Sequence, residues 1–208
     1  MKLTKERIIS AGMATFAEVG YHALSMRQVA ERLGAHAGSL YYHVRSKDEL
    51  LAMMADRVCQ QAYDAGSAAL AALPPDATWQ HKLEVQAATL RRTLLAHPGG
   101  ALLMVDSPGM LAPGALSLME RLLRTLVEAG VPVEHGGIAA DTLLSHITGF
   151  VLQEQSRPQA PAVTADVYAD LRQRFPLLLT EMPQLPQDEK FQRSVQLLCG
   201  AFASLTGD

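Results

Sequence analysis

The stretch "LGAHAGSLYYHVRSKDEL", Leu33 to Leu50, brings Ser39, Tyr41, Tyr42, His43 and Lys47 close together. Tyrosine hydroxyls and an imidazole can donate to phosphate oxygens, and their rings can stack on base methyls. Gly38 and Ser39 are small enough for close approach to a groove, and Lys47 can clamp a nucleic-acid backbone. Just upstream, Ser25 and Gln28 have the spacing of a capping box. A helix beginning there offers free N–H groups and a favourable dipole to a phosphate. Arg27, in its first turn, has the fork geometry that reads guanine. This chemistry suits recognition of a polyanion. Spacing leaves open which tyrosine faces bases and which faces phosphate.

Such side chains need short helices to carry them. "LSMRQVAERLG" predicts a helix capped by Ser25, with Met26, Val29, Ala30 and Leu33 on its apolar face and Gly34 at its end. A second helix is expected from Ser39 to about Val44, with Leu40 and Val44 inward at i, i+4. Together they form a helix–turn–helix, whose second helix fits the major groove of DNA. Before them, Thr4 caps a helix with Ile8, Gly12, Phe16 and Val19 on one face, stopped by Gly20. After them, Ser46 and Glu49 form a second capping box and start a long helix with Leu50, Leu51, Met54 and Val58 inward.

The rest of the chain has helical periodicity throughout. Pro74-Pro75 mark a connection, and Thr78 caps a helix carrying Trp79, Leu83, Ala87, Leu90 and Leu94. A short helix is expected over Ala101–Val105, and another follows the stripe Leu116, Met119, Leu123 and Leu126 up to Gly130. Helices are further expected from Val133 to Gln155 and from Asp166 to about Thr180. A last helix carries Phe191, Val195, Leu198, Phe202 and Leu205. No strand pattern or internal repeat is present. The reading is all-α with about ten helices: a three-helix head over residues 1–46 and a larger body over 47–208, with helix 47–70 as connecting lever.

Bulk properties agree. The 208 residues are 49% hydrophobic but only 5% aromatic, which favours helix over sheet. The net charge of −3 hides an asymmetry: residues 1–50 hold seven cations against five anions, so a mildly basic head sits on an acidic body. Cys59 and Cys199 have no partner at disulfide or zinc-ligand spacing, which fits a reducing cytoplasm, and no metal or cofactor is expected. The N-terminus lacks a signal-peptide core, and no apolar run approaches the roughly 18 residues of a membrane span. GxSxG, P-loop and HExxH motifs are absent, so an enzyme is not expected.

The segment "LSMRQVAERLGAHAGSLYYHVRSKDELLAMMADRV", with "VAERLG", "GSLYYHV" and "SKDELL" in order, resembles the DNA-binding head of the tetracycline-repressor (TetR) family of bacterial regulators. The resemblance implies a homodimer on a palindromic operator. It places Ser25, Met26, Arg27, Gln28, Ala37, Gly38, Ser39, Tyr41, Tyr42, His43 and Lys47 at the DNA surface, and Leu40, Val44 and Leu50 in internal packing. The body's "WQHKLEVQAATLRRTLLAHPGGALLMVDSPG" and "SHITGFVLQEQ" are similar to the family's sensor segments. They imply an effector cavity lined by Tyr63, Gln86, Leu90, Met104, Ser107, His146, Phe150 and Glu154. Family members that bind magnesium–tetracycline use a histidine ligand where this chain has Met104, and a soft thioether is a poor ligand for Mg²⁺. A small organic effector is therefore expected in place of that chelate. The helix from Val133 and the one from Asp188, with Leu197 and Ala201 beside its main stripe, are the expected dimer elements. The expected function is a ligand-released transcriptional repressor. The alternatives are an activator, or a regulator without a working pocket.

Overall fold

A computed structural model describes residues 2–106, 112–156 and 164–206. Among them are ten α-helices, one π-helical segment and no strand. The head comprises α1 (Lys5–Ala23), α2 (Met26–Leu33) and α3 (Ala37–Tyr41). The lever is α4 (Lys47–Ala71). The body adds α5 (Trp79–Leu95), α6 (Gly100–Asp106), α7 (Pro113–Glu128), α8 (Val133–Gln155), α9 (Ala165–Arg174), the π-helical segment Leu177–Glu181, and α10 (Gln187–Ala203).

Side-chain caps set the starts that the sequence marks. Thr4, Ser25, Ser46 and Thr78 each accept from the backbone N–H three residues on. The second capping box closes with a shift: Glu49 Oε2 accepts from Arg45 N at 2.5 Å. Gly34 ends α2 in the left-handed conformation, φ 62°, where glycine has no Cβ to clash.

Several expectations change. Gly20 (φ 77°) interrupts α1 without stopping it; helical structure resumes to Ala23. Val19, beside that kink, is exposed. The third helix begins at Ala37, two residues early, because His36 caps it without a side-chain hydrogen bond and so leaves no sequence signal. In α7 the buried stripe is Leu118, Leu122, Thr125 and Leu126; Leu116 is exposed, and Met119 and Leu123 are half-buried. The predicted helix over Asp166–Thr180 breaks at Phe175 (φ −130°, ψ 59°), since Pro176 restricts the residue before it and lacks an N–H. The chain continues as the π-helical segment. The last helix ends at Ala203, before Leu205.

The core is continuous from head to body. In the head, Ile8, Phe16, Val29, Leu40 and Val44 share one buried core with Leu50 and Met54 of the lever. Gly12 lets α1 approach closely: a Cβ there would lie 2.9 Å from Met54 Sδ. In the body α4 packs along α5 and α7, α8 lies against α5, α6 and α7, and α10 closes on α5 and α8. A second tie joins the body to α1. Gly99, in the turn before α6 with φ 71°, lies so close to Phe16 that a Cβ would meet its Cε1 at 2.7 Å. Gln155 of α8 braces that turn, donating to Leu94 O (3.0 Å) and His97 O (2.8 Å) and accepting from Ala101 N (3.3 Å). No helix among the described residues is long and apolar enough to cross a membrane.

Candidate functional site

The exposed end of the head carries the polar side chains singled out in the sequence. Leu40 and Val44 are fully buried. Their burial turns the alternating side chains outward: Tyr41 is 50% and Tyr42 90% exposed. The rings of Tyr42 and His43 meet edge to face at 5.2 Å. Gly38 and Ser39 are exposed. Arg27 also lies on the surface, its Nε bonded to Glu31 Oε1 at 2.9 Å. An exposed pair of this kind is weak enough to exchange for a base or phosphate.

Other residues in this set have structural duties. Met26 is only 6% exposed and packs in the head core, which corrects its expected place at the DNA surface. Its position follows from α2 being short: the first turn must supply part of the buried face. Ala37 packs partly on the core. Ser25 Oγ accepts from Gln28 N (3.3 Å) and donates to Gln28 Oε1 (2.8 Å), so both residues fix the start of α2. Lys47 Nζ donates to Tyr21 O at 3.1 Å and lies 5.6 Å from the Tyr21 ring, tying the lever to the kinked end of α1.

The expected effector residues fall into separate groups. Gln86 and Leu90 are buried on α5, and Tyr63 is half-buried on α4. Gln86 Nε2 donates to Thr125 Oγ1 (3.0 Å), and its Oε1 accepts from Arg121 Nε (3.0 Å). Met104 faces a cleft of about 320 Å³ between α6 and α8, with Leu144, Thr148 and Gly149. His146, Phe150 and Glu154 belong instead to a cluster where α8 meets α5 and α10. That cluster lies beside a mostly apolar cleft of about 300 Å³ lined by Val85, Ala88, Arg91, Phe191 and Val195. Glu154 receives both Nε and Nη2 of Arg91, at 2.9 and 2.7 Å. His146 is stacked on Phe191, with ring centroids 6.1 Å apart. Among the described residues these side chains fall on two sides of α5. Ser107 lies outside the described residues. Arg121, Thr125 and Arg91 complete these groups and escape a search for apolar stripes. Their register gives them away: Arg121 follows Leu118 by three residues and precedes Thr125 by four.

Histidine chemistry in the body has a definite sign. Ser194 Oγ donates to Phe191 O (2.7 Å), so its lone pair accepts from His146 Nε2 (2.7 Å), which fixes the Nε2–H tautomer. Burial lowers the pKa of His146; burial and then Arg57 lower that of His97. Both are disfavoured as cations in the folded state, so the unfolded chain binds more protons as pH drops. Their stability contribution is complete above the ordinary histidine pKa of about 6.5 and is lost as pH falls through the lowered values. The urea midpoint is expected to fall between pH 7.5 and pH 5. In the His146→Gln variant that fall should be smaller; an identical fall would exclude His146 as a contributor.

A basic-edged head with an exposed reading helix, joined by a long lever to a helical body, defines a helix–turn–helix DNA-binding transcriptional regulator. Residues 8–54 match the family described as bacterial regulatory proteins, tetR family, and residues 71–199 match the tetracyclin repressor-like C-terminal domain. The chain belongs to the TetR family. It is 32% identical to an HTH-type transcriptional regulator of Saccharopolyspora erythraea over 99% of this chain and 86% of that one. The structure is similar to that of ActR from Streptomyces coelicolor in complex with actinorhodin. There the TM-score is 0.80 and identity 27%, covering 100% of both chains. BioQ of Mycobacterium smegmatis bound to its double-stranded DNA operator gives a TM-score of 0.68 and 25% identity, covering 98% of this chain and 99% of that one.

Proposed function

We propose that the protein is a homodimeric repressor that binds a palindromic operator and is released by a small organic effector bound in its body. The observation that carries this reading is the pairing of an exposed reading helix with two open helix faces on the body. On α8, Val133 and Ile138 are 62% and 67% exposed; on α10, Leu197 is 76% exposed beside Gly200 and Ala201. Small residues next to an exposed leucine let helices approach closely, and two helices from each subunit would make a four-helix interface. Dyad-related heads then read two half-sites. The domain division at residue 46 follows the same logic, because α4 belongs to both parts: its start packs under the head and its remainder lines the body.

Release needs an effector that binds one lever position better than another. A hundredfold loss of operator affinity requires about 2.7 kcal/mol of coupling. ActR and BioQ, with their bound small molecule and operator, lend support to both halves of the proposal.

Selection from random genomic fragments is expected to return one inverted repeat. Arg27→Ala should weaken binding to it by about 1–3 kcal/mol and relax one position, while Lys47→Ala should reduce the salt slope by about 1. Tyr42→Ala, which removes an exposed side chain, should weaken binding at unchanged thermal stability. Leu197→Glu should give monomers in sedimentation and no binding to the repeat. Wild-type affinity in the Tyr42 and Arg27 variants together would sink the head assignment, and a dimeric Leu197→Glu would sink the interface.

A further inference from the structure

Arg121 stands where α4, α5 and α7 meet, and the structure gives it neutral partners. Its Nε donates to Gln86 Oε1 at 3.0 Å, and its Nη1 donates to Tyr63 O at 2.5 Å and Ser67 Oγ at 2.8 Å. The guanidinium carbon lies 4.6 Å from the Tyr63 ring centroid. Among the described residues no carboxylate lies within ion-pair distance of it, and Nη2 has no hydrogen-bond acceptor. Arg32, Arg57 and Arg91, which also tie helices together, each pair with a glutamate. A partly buried cation without an ion-pair partner costs free energy that neutral hydrogen bonds offset only in part.

The fold makes a second concession to this side chain. Gly66 sits inside the lever helix, where a Cβ would run into Arg121 Nη2. A helix-interior glycine is about 1 kcal/mol worse than alanine. Residue 66 is thus small where the guanidinium rests, and Arg121 is held on the lever by Tyr63 and Ser67. Gln86 is already turned toward it, its own Nε2 bonded to Thr125 Oγ1.

We propose that the effector is an organic acid whose carboxylate pairs with Arg121, its apolar part lying against the half-buried Tyr63. This rests on the ligand-released reading above. A carboxylate suits the guanidinium fork bidentately. Pairing would draw Nη1 away from Tyr63 O and Ser67 Oγ, and both of those atoms belong to α4. Binding of the charge would thereby loosen α7 from the lever that carries the head, which links the chemistry of the ligand to operator release.

The test uses the full-length protein and three matched probe pairs of increasing size: benzoate, 2-naphthoate and 9-anthracenecarboxylate, each beside its methyl ester. Two readouts are taken, the thermal unfolding midpoint and release of a fluorescent operator obtained by fragment selection. At least one acid is expected to raise the midpoint and release the operator at lower concentration than its ester. Arg121→Gln should weaken that acid roughly tenfold to a hundredfold and leave the ester unchanged. Arg121→Lys, which keeps the charge and guards against a folding artefact in the first variant, should retain part of the acid response. Release by esters and acids alike, or an acid response unchanged in Arg121→Gln, overturns the acid proposal while ligand-released repression stands. If no acid raises the midpoint or releases the operator from a protein that still binds it, the acid proposal falls, and ligand-released repression stands on its own test.

Discussion

Replacing Arg91 by alanine is expected to lower the stability of the protein by about 3 kcal/mol or more, because it strands a largely buried carboxylate. The side chains of Arg91 and Glu154 are 12% and 13% exposed, and the pair is bidentate. The guanidinium carbon also lies 4.9 Å from the ring centroid of Phe191 and 5.6 Å from that of Phe150, so the same cation pins α10 through an aromatic face. Asp188 touches Arg91 too, at 2.8 Å, but from solvent. Asp188→Ala should therefore cost under about 1 kcal/mol. A paired Arg91→Met, Glu154→Met change should recover most of the loss, since removing both charges removes the desolvation cost along with the attraction. Urea unfolding of the four proteins checks this. Equal losses for Arg91→Ala and Asp188→Ala would show that the buried pair contributes nothing special.

Gly114→Ala should drive the lever and α7 apart. A Cβ there would sit 2.6 Å from Asp56 O, 2.7 Å from Gln60 N and 2.8 Å from Asp56 Oδ1. Two of those three atoms are backbone of α4, so no rotamer change relieves the contact. Gly114 N also donates to Asp56 Oδ1 at 2.6 Å, which fixes the first turn of α7 on the lever. Overpacking of this kind costs about 1–3 kcal/mol. Because α4 carries the head, the operator dissociation constant should rise as well, without effector. Reduced stability at unchanged operator affinity would mean that strain at this crossing does not reach the reading helices.

The head was largely legible because its signals are local. Ser25 and Ser46 cap their helices by side-chain bonds that a three-residue spacing announces, and Leu40 with Val44 fixes which way Tyr41 and Tyr42 face. The body was legible as helices and much less so as a site. Positional similarity places Gln86 and Glu154 around one ligand, yet Gln86 faces α7 while Arg91, on the same helix, faces Glu154 of α8 and Asp188 of α10. Such a split depends on how helices rotate about their own axes, and an apolar stripe sets that only coarsely. In α7 the true stripe runs through Leu118 and Leu122, a residue away from the expected one, and it is this shift that turns Arg121 inward. The α9 segment gave the least: Val167, Tyr168 and Phe175 have an apolar periodicity, but none of its residues is buried.

The contact between Gly99 and Phe16 makes the head a plate on two bearings, not a weight on one stalk. One bearing is the start of the lever under Leu40 and Val44; the other is a turn of the body, braced by Gln155, pressing on α1. Two supports suppress bending in most directions and leave rotation about the line between them as the soft motion. The resting angle of each reading helix is then set jointly by the lever and by that turn. On the proposed dimer, residues 97–100 become a place where the angle between two reading helices can be tuned.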